Sequence, residues 1–280
     1  MTTTHTSTAR RVGDASHVGP LLRAWRTSRG KSQLALAVEA GISTRHLSFV
    51  ETGRSTPSRE MVLTLAEHLE LPLRDRNGLL EAAGYAAVYR ETPLEAAAMS
   101  EVRAALTHLL EASLPNPSLV VNRRYDILLA NTAAVEFFSF FAPNWKGQNN
   151  IAQLVFSESG LKPAIADWPA AARYLVKRLR SELGGKCADA RDEQLLELAS
   201  EVEQELAGSD VPPAATPAQS ILIPVKLRRG DIEVDVFTAI TTLGTPLDVT
   251  LQELRIETFF PADARSRDTL ERVVRQSTSD

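Results

Sequence analysis

The sequence predicts an α+β protein with an all-helical N-terminal domain and a C-terminal domain built on an antiparallel sheet with a helical insertion. At 280 residues the chain exceeds the usual single domain of roughly 100–200 residues. Apolar residues recur at helical spacing over 18–85, whereas 117–130 and 221–260 contain short apolar runs typical of strands. We therefore expect a disordered tail over 1–17, domains over 18–90 and 91–265, and a second tail over 266–280.

The composition is ordinary for a globular protein, but the charge is divided unevenly. Hydrophobic residues make up 44% of the chain and charged residues 24%. Residues 1–90 contain 12 Lys/Arg and 8 Asp/Glu, whereas the remainder contains 19 and 27. A basic first domain favours a nucleic-acid partner, although a solvated charged face gives the same division.

The sequence indicates a cytoplasmic protein with no membrane partner. The longest apolar runs, 79–87 and 133–143, are much shorter than the roughly 20 residues that span a bilayer. The first residues lack the apolar core of a secretory signal. The single cysteine, Cys187, has no internal disulfide partner, which is typical of a reducing compartment.

Five helical patterns follow one another in the first domain. Ser32 and Ser43 are suited to cap the second and third patterns, and Gly41 supplies a tight turn between them. Two helices joined by such a turn form the outline of a helix-turn-helix. The five patterns cover 20–28, 33–40, 44–52, 59–69 and 73–83.

The third helix has the outward positions that a DNA-reading helix needs. Such a helix directs its first residues at base edges in the major groove, where Arg45 would bind guanine, and Thr44 and Phe49 would contact thymine methyl groups. Helix N-termini and the residue Arg54 would contact phosphates. The alternative for Arg45 and Arg54 is a role as solvated surface charges. The predicted DNA-binding residues are Gln33, Ser43, Thr44, Arg45, Ser48, Phe49 and Arg54.

The stretch SQLALAVEAGISTRHLSFVETGRSTPSREMVLTLAEHLEL resembles the XRE family, the phage-repressor type of helix-turn-helix. The glutamine that opens the second helix, the Gly-Ile-Ser turn, the Glu-Thr-Gly-Arg exit and the Pro-Ser entry to the fourth helix lie at the expected spacings. The resemblance covers about 18–85 and implies a five-helix phage-repressor-like domain that binds double-stranded DNA. It also implies an internal ion pair between Arg26 and Glu51, which ties the first helix to the third.

The second domain begins with a helix over 100–112 and a hairpin over 117–130, after which Asn131 is placed to cap a further helix. Helical patterns then dominate up to residue 207. A proline-rich loop precedes three strands, at 221–228, 232–242 and about 250–260. A hairpin, a helical insertion and three antiparallel strands is the order of a PAS-like domain, whose sheet packs helices around a small-molecule cavity.

Five passages resemble one group within the XRE regulators, the MmyB-like proteins. They are RHLSFVETGR, GYAAVYRETPL, PSLVVNRRYDILLANTAA, DWPAAARYLVKRLR and ITTLGTPLDVTLQELRIETFFPAD. The resemblance covers roughly 18–265. It implies a C-terminal PAS-like ligand-binding domain and suggests a fatty-acid-like ligand.

An aromatic cluster supplies material for an apolar pocket. Aromatic residues are only 6% of the chain, yet eight lie within about forty residues between 137 and 174. The alternative is that these rings form the core, although the four phenylalanines of 137–141 cannot all face one direction on a helix. A polar anchor at the mouth would come from Arg173, Tyr174 or Arg178, of which Arg178 is equally suited to be a solvated charge. The predicted ligand-binding residues are Phe137, Phe138, Phe141, Trp145, Phe156, Trp168, Arg173, Tyr174 and Arg178.

No sequence motif supports an enzyme or a metal site. The five histidines form no HExxH pair, Cys187 has no CxxC partner, and phosphate-binding and nucleophile-elbow motifs are absent. Three functions stay open: a ligand-responsive transcription regulator, a constitutive DNA-binding protein whose second domain only dimerises, and an enzyme with a DNA-binding appendage. For the first we expect no cofactor, a fatty acid or similar amphiphile as effector, and a homodimer on an inverted-repeat operator, because one helix-turn-helix reads few base pairs.

Overall fold

The computed structural model describes residues 18–147, 149–183, 189–208 and 225–276. It divides the chain into two units. The first comprises the described residues up to Arg90 together with Leu247–Val249, and the second comprises the other described residues. The tail predicted over 1–17 and Cys187 lie outside the described residues. Over the ranges described, no helix is both long enough and apolar enough to cross a membrane.

The first unit consists of five helices, as predicted. Hydroxyl oxygens of Ser32, Ser43 and Ser58 accept a hydrogen bond from the backbone N–H three residues on, which fixes where three of the helices begin. Between the second and third helices, Gly41 adopts a φ of 66°. The helices are α1 (Val18–Ser28), α2 (Gln33–Glu39), α3 (Thr44–Glu51), α4 (Arg59–His68) and α5 (Leu73–Ala82).

Close packing in this unit fixes α3 against α1. Leu36, Leu47 and Leu80 are fully buried in one core. At Gly19 of α1, a Cβ would lie only 2.5 Å from the backbone oxygen of Val50 in α3, so a larger residue would force the helices apart. The outward face of α3 therefore rests on a rigid base.

The second unit is built on a five-stranded antiparallel sheet in the order β2-β1-β5-β4-β3. Leu119 and Val121 of β1 belong to the core under the helical insertion, whereas Val120 belongs to a smaller core on the opposite face with α6. The α+β fold class is confirmed. The elements are α6 (Ser100–Ala112), β1 (Ser118–Val121), β2 (Ile127–Ala130), α7 (Thr132–Phe141), α8 (Ile151–Phe156), α9 (Trp168–Leu183), α10 (Ala190–Ala207), β3 (Val225–Arg229), β4 (Ile232–Thr242), α11 (Val249–Glu253), β5 (Arg255–Pro261) and α12 (Ala264–Gln276).

The tail predicted over 266–280 is wrong for its described part, because Ala264–Gln276 forms helix α12. Leu270 and Val273 are buried in the main core of the second unit. The Asp263 carboxylate accepts a hydrogen bond from the Ser266 backbone N–H and so caps the helix. Only two apolar positions are fully buried among many charged ones, which is why the amphipathic pattern was missed.

The last strand starts later than expected, at Arg255 instead of about 250, because Val249–Glu253 forms the short helix α11. Leu251 and Leu254 pack on the same cluster as α6. Side chains three residues apart share a face in a helical turn, whereas they point to opposite faces in a strand. Residues 221–224, the first part of another predicted strand, lie outside the described residues.

Candidate functional site

A buried carboxylate joins the first three helices. Glu51 in α3 accepts hydrogen bonds from Arg26 of α1, with N–O distances of 2.6 and 3.0 Å, and its side chain is 1% exposed. Gln33 of α2 donates its amide to the same carboxylate at 2.7 Å. Glu51 raises the pKa of Arg26, so the guanidinium stays charged. The ion pair that the resemblance implied is thus formed. One amide hydrogen of Gln33 is used in the hydrogen bond to Glu51.

The outward face of α3 gathers most of the predicted DNA-binding residues. Arg45 is exposed, and Thr44, Ser48 and Phe49 are half-buried. The Ser43 hydroxyl accepts from the backbone N–H of His46 and can still donate its own proton.

An aromatic ring links the two arginines of this surface. The guanidinium carbon of Arg45 lies 5.3 Å from the centre of the Phe49 ring, and that of Arg54 lies 5.9 Å from it. Both distances are within the range of a cation–π contact.

In the second unit, most of the predicted ligand-binding aromatics lie in the core. Phe137, Phe141, Phe156 and Trp168 are at most 8% exposed and belong to one cluster, against which Phe138 and Trp145 pack. The Phe137 ring meets those of its two helix neighbours edge-to-face, with centroids 5.0 and 5.5 Å apart. The sequence allowed two roles for these rings, lining a pocket or forming the core. In the structure they form part of the core.

The predicted polar anchors on α9 have different surroundings. Tyr174 is 62% exposed, and Arg173 is half-buried. Arg178 is half-buried, with its guanidinium carbon 5.3 Å from the ring centre of Tyr125 and 5.8 Å from that of Tyr174. Of the two roles predicted for Arg178, polar anchor or solvated surface charge, its burial and ring contacts exclude the second.

Arg178 belongs to a cluster of charges between α9 and the sheet, which we call the α9–β5 cluster: Tyr125, Arg178, Glu182, Arg255 and Glu257. The Arg178 guanidinium lies 3.5 Å from both Glu182 and Glu257. Arg255 is 2.5 Å from Glu182, and the Tyr125 hydroxyl donates to Glu182 at 3.4 Å. Two arginines thus face two glutamates.

Burial raises the pKa of two members of this cluster, Glu257 and Tyr125, and so favours their neutral forms. Glu257 is 4% exposed, and burial raises its pKa despite the opposing charges of Arg178 and Arg255. Burial, together with the charge of Glu182, also raises the pKa of Tyr125, which keeps its proton at neutral pH. Protonation of Glu257 would leave the cluster with a net positive charge.

The sequence contained a signal for the part of this cluster that was missed. Arg255 and Glu257 alternate with apolar residues in β5 and pair with Val121 and Leu119 of β1. Strand alternation therefore directs both charges at the face covered by the helical insertion, where unpaired charges are costly.

A second buried carboxylate, Asp192 at the start of α10, accepts hydrogen bonds from Arg123 at 2.5 Å and from Arg124 at 2.6 Å. Asp192 is fully buried. The basic turn of the β1–β2 hairpin is thus a structural clamp on α10.

Two protein-family models match the chain. A helix-turn-helix model matches residues 22–75, which include α2 and α3. The model of the MmyB-like transcription regulator ligand binding domain matches residues 102–273, more than half of the chain. The chain belongs to the MmyB-like transcription regulators. It is a helix-turn-helix regulator, and the match of its ligand-binding domain extends into α12.

Solved structures that are similar to the regulator include the following three. Two are the clp gene regulator ClgR from Corynebacterium glutamicum, at 31% and 28% identity, covering 25% and 36% of this chain and 88% and 94% of theirs, each with a TM-score of 0.22. The third is ComR from Streptococcus suis, at 14% identity over 70% of both chains, with a TM-score of 0.21. TM-scores this low support no conclusion about the regulator. No curated protein matches it.

The buried ion pair of the regulator yields a first prediction. Arg26→Met should lower the free energy of unfolding of the first unit by about 3–5 kcal/mol, because it leaves the Glu51 carboxylate buried without its cation. The double variant Arg26→Met/Glu51→Met should recover much of the loss, whereas Arg23→Met, an exposed neighbour on α1, should change little. Guanidinium titrations followed by circular dichroism measure these values. An Arg26→Met variant within 1 kcal/mol of the wild type would contradict the assignment.

Proposed function

We propose that the protein regulates transcription in the bacterial cytoplasm, without enzymatic activity, by binding an inverted-repeat operator as a homodimer under the control of a small apolar effector such as a fatty acid. The α9–β5 cluster carries the effector part of this proposal. Charge-assisted hydrogen bonds usually measure 2.7–2.9 Å, but both contacts of Arg178 to carboxylates are 3.5 Å long. A ligand carboxylate at normal distance would satisfy Arg178 better than Glu182 and Glu257 do.

The apolar part of the effector would lie among the aromatic residues of the helical insertion, whose packed rings would have to separate to admit it. Burial of a ten-carbon chain at about 0.8 kcal/mol per methylene yields roughly 8 kcal/mol before the costs of binding. The order of hairpin, helical insertion and three strands supports the PAS-like interpretation, in which a sheet and helices surround such a ligand.

The DNA-binding part of the proposal assigns base reading to Arg45 and phosphate contact to Arg54, with Gln33, Ser43, Thr44 and Ser48 around them. Arg45→Ala should weaken binding to an operator selected by the wild type about 10-fold or more, because it removes a bidentate base contact, and should change binding to a scrambled duplex little. Arg45→Lys keeps the charge but loses the planar fork, so it should also lose specificity. Arg54→Ala should weaken both complexes and reduce the salt slope by about one.

Fluorescence anisotropy on the selected and scrambled duplexes at several salt concentrations measures these effects. Equal losses on both duplexes for Arg45→Ala would show that Arg45 does not read bases.

The dimer part of the proposal follows from the small footprint of one helix-turn-helix. We expect the full chain to be a dimer in solution, with half-sites one helical turn, roughly 34 Å, or a multiple of it apart. Its contact would come from the acidic second domain, since the basic first domain must stay open to DNA. Light scattering of the free and DNA-bound protein measures the stoichiometry. A monomer that binds the selected duplex one-to-one would contradict this part.

The effector part is tested with three amphiphiles of equal chain length, namely decanoate, decanol and decylamine. Decanoate should raise the melting temperature of the wild type most, because only its head group complements Arg178. Arg178→Ala should abolish this preference, and Arg173→Ala decides whether the neighbouring arginine shares the role. Trp168→Ala should weaken all three ligands through the apolar part. Arg180→Ala is the matched control, since that exposed side chain on α9 pairs with Glu203, outside the cluster.

Equal stabilisation by all three amphiphiles would refute the assignment of the head group to Arg178. If no amphiphile stabilises the protein and native mass spectrometry finds no bound molecule, the effector proposal fails. The regulator would then bind DNA constitutively and use its second domain only to dimerise.

A further inference from the structure

The end of α3 folds back onto Phe49. Gly53, with a φ of 72°, turns the chain after the helix. The backbone N–H groups of Arg54 and Ser55 then both donate to the carbonyl oxygen of Phe49, at 2.8 and 3.2 Å. The Thr52 hydroxyl donates to the Ser48 carbonyl one turn earlier, at 2.7 Å. The backbone of Arg54 is thus held beside Phe49 independently of its side chain.

The ring of Phe49 contacts arginines from two directions along the chain. Arg45 precedes it by four residues, one helical turn, and so lies on the same face of α3. Arg54 follows it by five residues and is brought back by the turn. Their guanidinium carbons lie 5.3 and 5.9 Å from the ring centre, although both side chains are exposed. A ring engaged by two guanidinium groups is poorly available for a thymine methyl group.

We infer that Phe49 is a positioning residue, whose ring holds the guanidinium groups of Arg45 and Arg54 in place on the DNA-facing surface before DNA binds. A free arginine side chain samples many rotamers, and fixing them on binding reduces affinity. A ring that already restricts both side chains removes part of that cost. This inference rests on the proposed DNA contacts: the base contact of Arg45 and the phosphate contact of Arg54 would be coupled through one residue that touches neither base nor phosphate.

The central test compares Phe49→Leu with Phe49→Tyr in the full-length protein, on a duplex that the wild type selects from a random pool. Without the ring, DNA binding must order two freely rotating arginine side chains, which corresponds to an affinity loss of about 5- to 25-fold for Phe49→Leu. Phe49→Tyr retains a ring and should bind within about twofold of the wild type. The salt slope should also fall for Phe49→Leu, because Arg54 engages its phosphate less well.

A double-mutant cycle separates positioning from direct contact. In an Arg45→Ala/Arg54→Ala background, Phe49→Leu should cause almost no further loss, because the groups that it positions are gone. A loss as large as in the wild-type background would overturn the inference. A second arm replaces the thymines of the selected duplex by deoxyuridine. If this weakens the wild type but leaves Phe49→Leu unchanged, Phe49 contacts thymine and the inference is wrong.

A measurement on the wild type alone guards against a variant that fails to fold. In the DNA-free protein, the side-chain protons of Arg45 and Arg54 next to the guanidinium should show ring-current shifts in NMR spectra, whereas those of Arg23 should not. Random-coil shifts at both arginines would overturn the inference whatever the binding data.

Discussion

A carboxylate removed from water must be met by a cation and by hydrogen-bond donors, or its burial costs more than the fold can recover. Glu51, Asp192 and Glu257 place this constraint on the molecule. Arg26 meets Glu51 and thereby ties α1 to α3. The arginines of the β1–β2 turn meet Asp192 and hold α10. Arg178 lies 3.5 Å from Glu257, which is long for an ion pair with a hydrogen bond. The first two pairs serve structure, whereas the third contact is longer than a normal charge-assisted hydrogen bond, which is why the proposed ligand carboxylate would bind Arg178 there.

The first unit could be predicted almost entirely from the sequence, because its signals are local. Ser32 and Ser43 cap helices through the next few residues, and Gly41 sets a turn by its own φ. The surface of α3 was predictable as a set of residues but not as a geometry. That Arg54 returns to Phe49 depends on the course of the chain beyond the helix, which periodicity does not describe.

The second unit was predicted in order but less well in detail, because its signals are long-range. The hairpin and the helical insertion have clear patterns, whereas the burial of Leu270 and Val273 depends on a core formed by distant segments. The α9–β5 cluster was missed for the same reason. Arg178 and Glu257 are 79 residues apart in the chain. The register of β5 against β1 places Glu257 on the face of the sheet that α9 covers, and so brings it to Arg178. The density of aromatic residues over 137–141 predicts an apolar cluster, but density does not distinguish a core from the wall of a cavity.

Control of DNA binding by an effector requires more than a site that accommodates it. A ligand that binds two conformations equally shifts nothing, however tightly it binds, whereas a tenfold preference for one conformation changes their ratio tenfold. Burial of a purely apolar chain distinguishes poorly between two conformations, because methylene groups gain a similar free energy in any well-packed environment. A charged group discriminates more sharply, since its free energy depends on the distance and orientation of its partners. In the proposed effector site, the α9–β5 cluster would supply that dependence. A small movement of α9 against β5 would shorten or lengthen the contacts of Arg178, so the head group of a ligand, more than its chain, would decide which conformation is favoured.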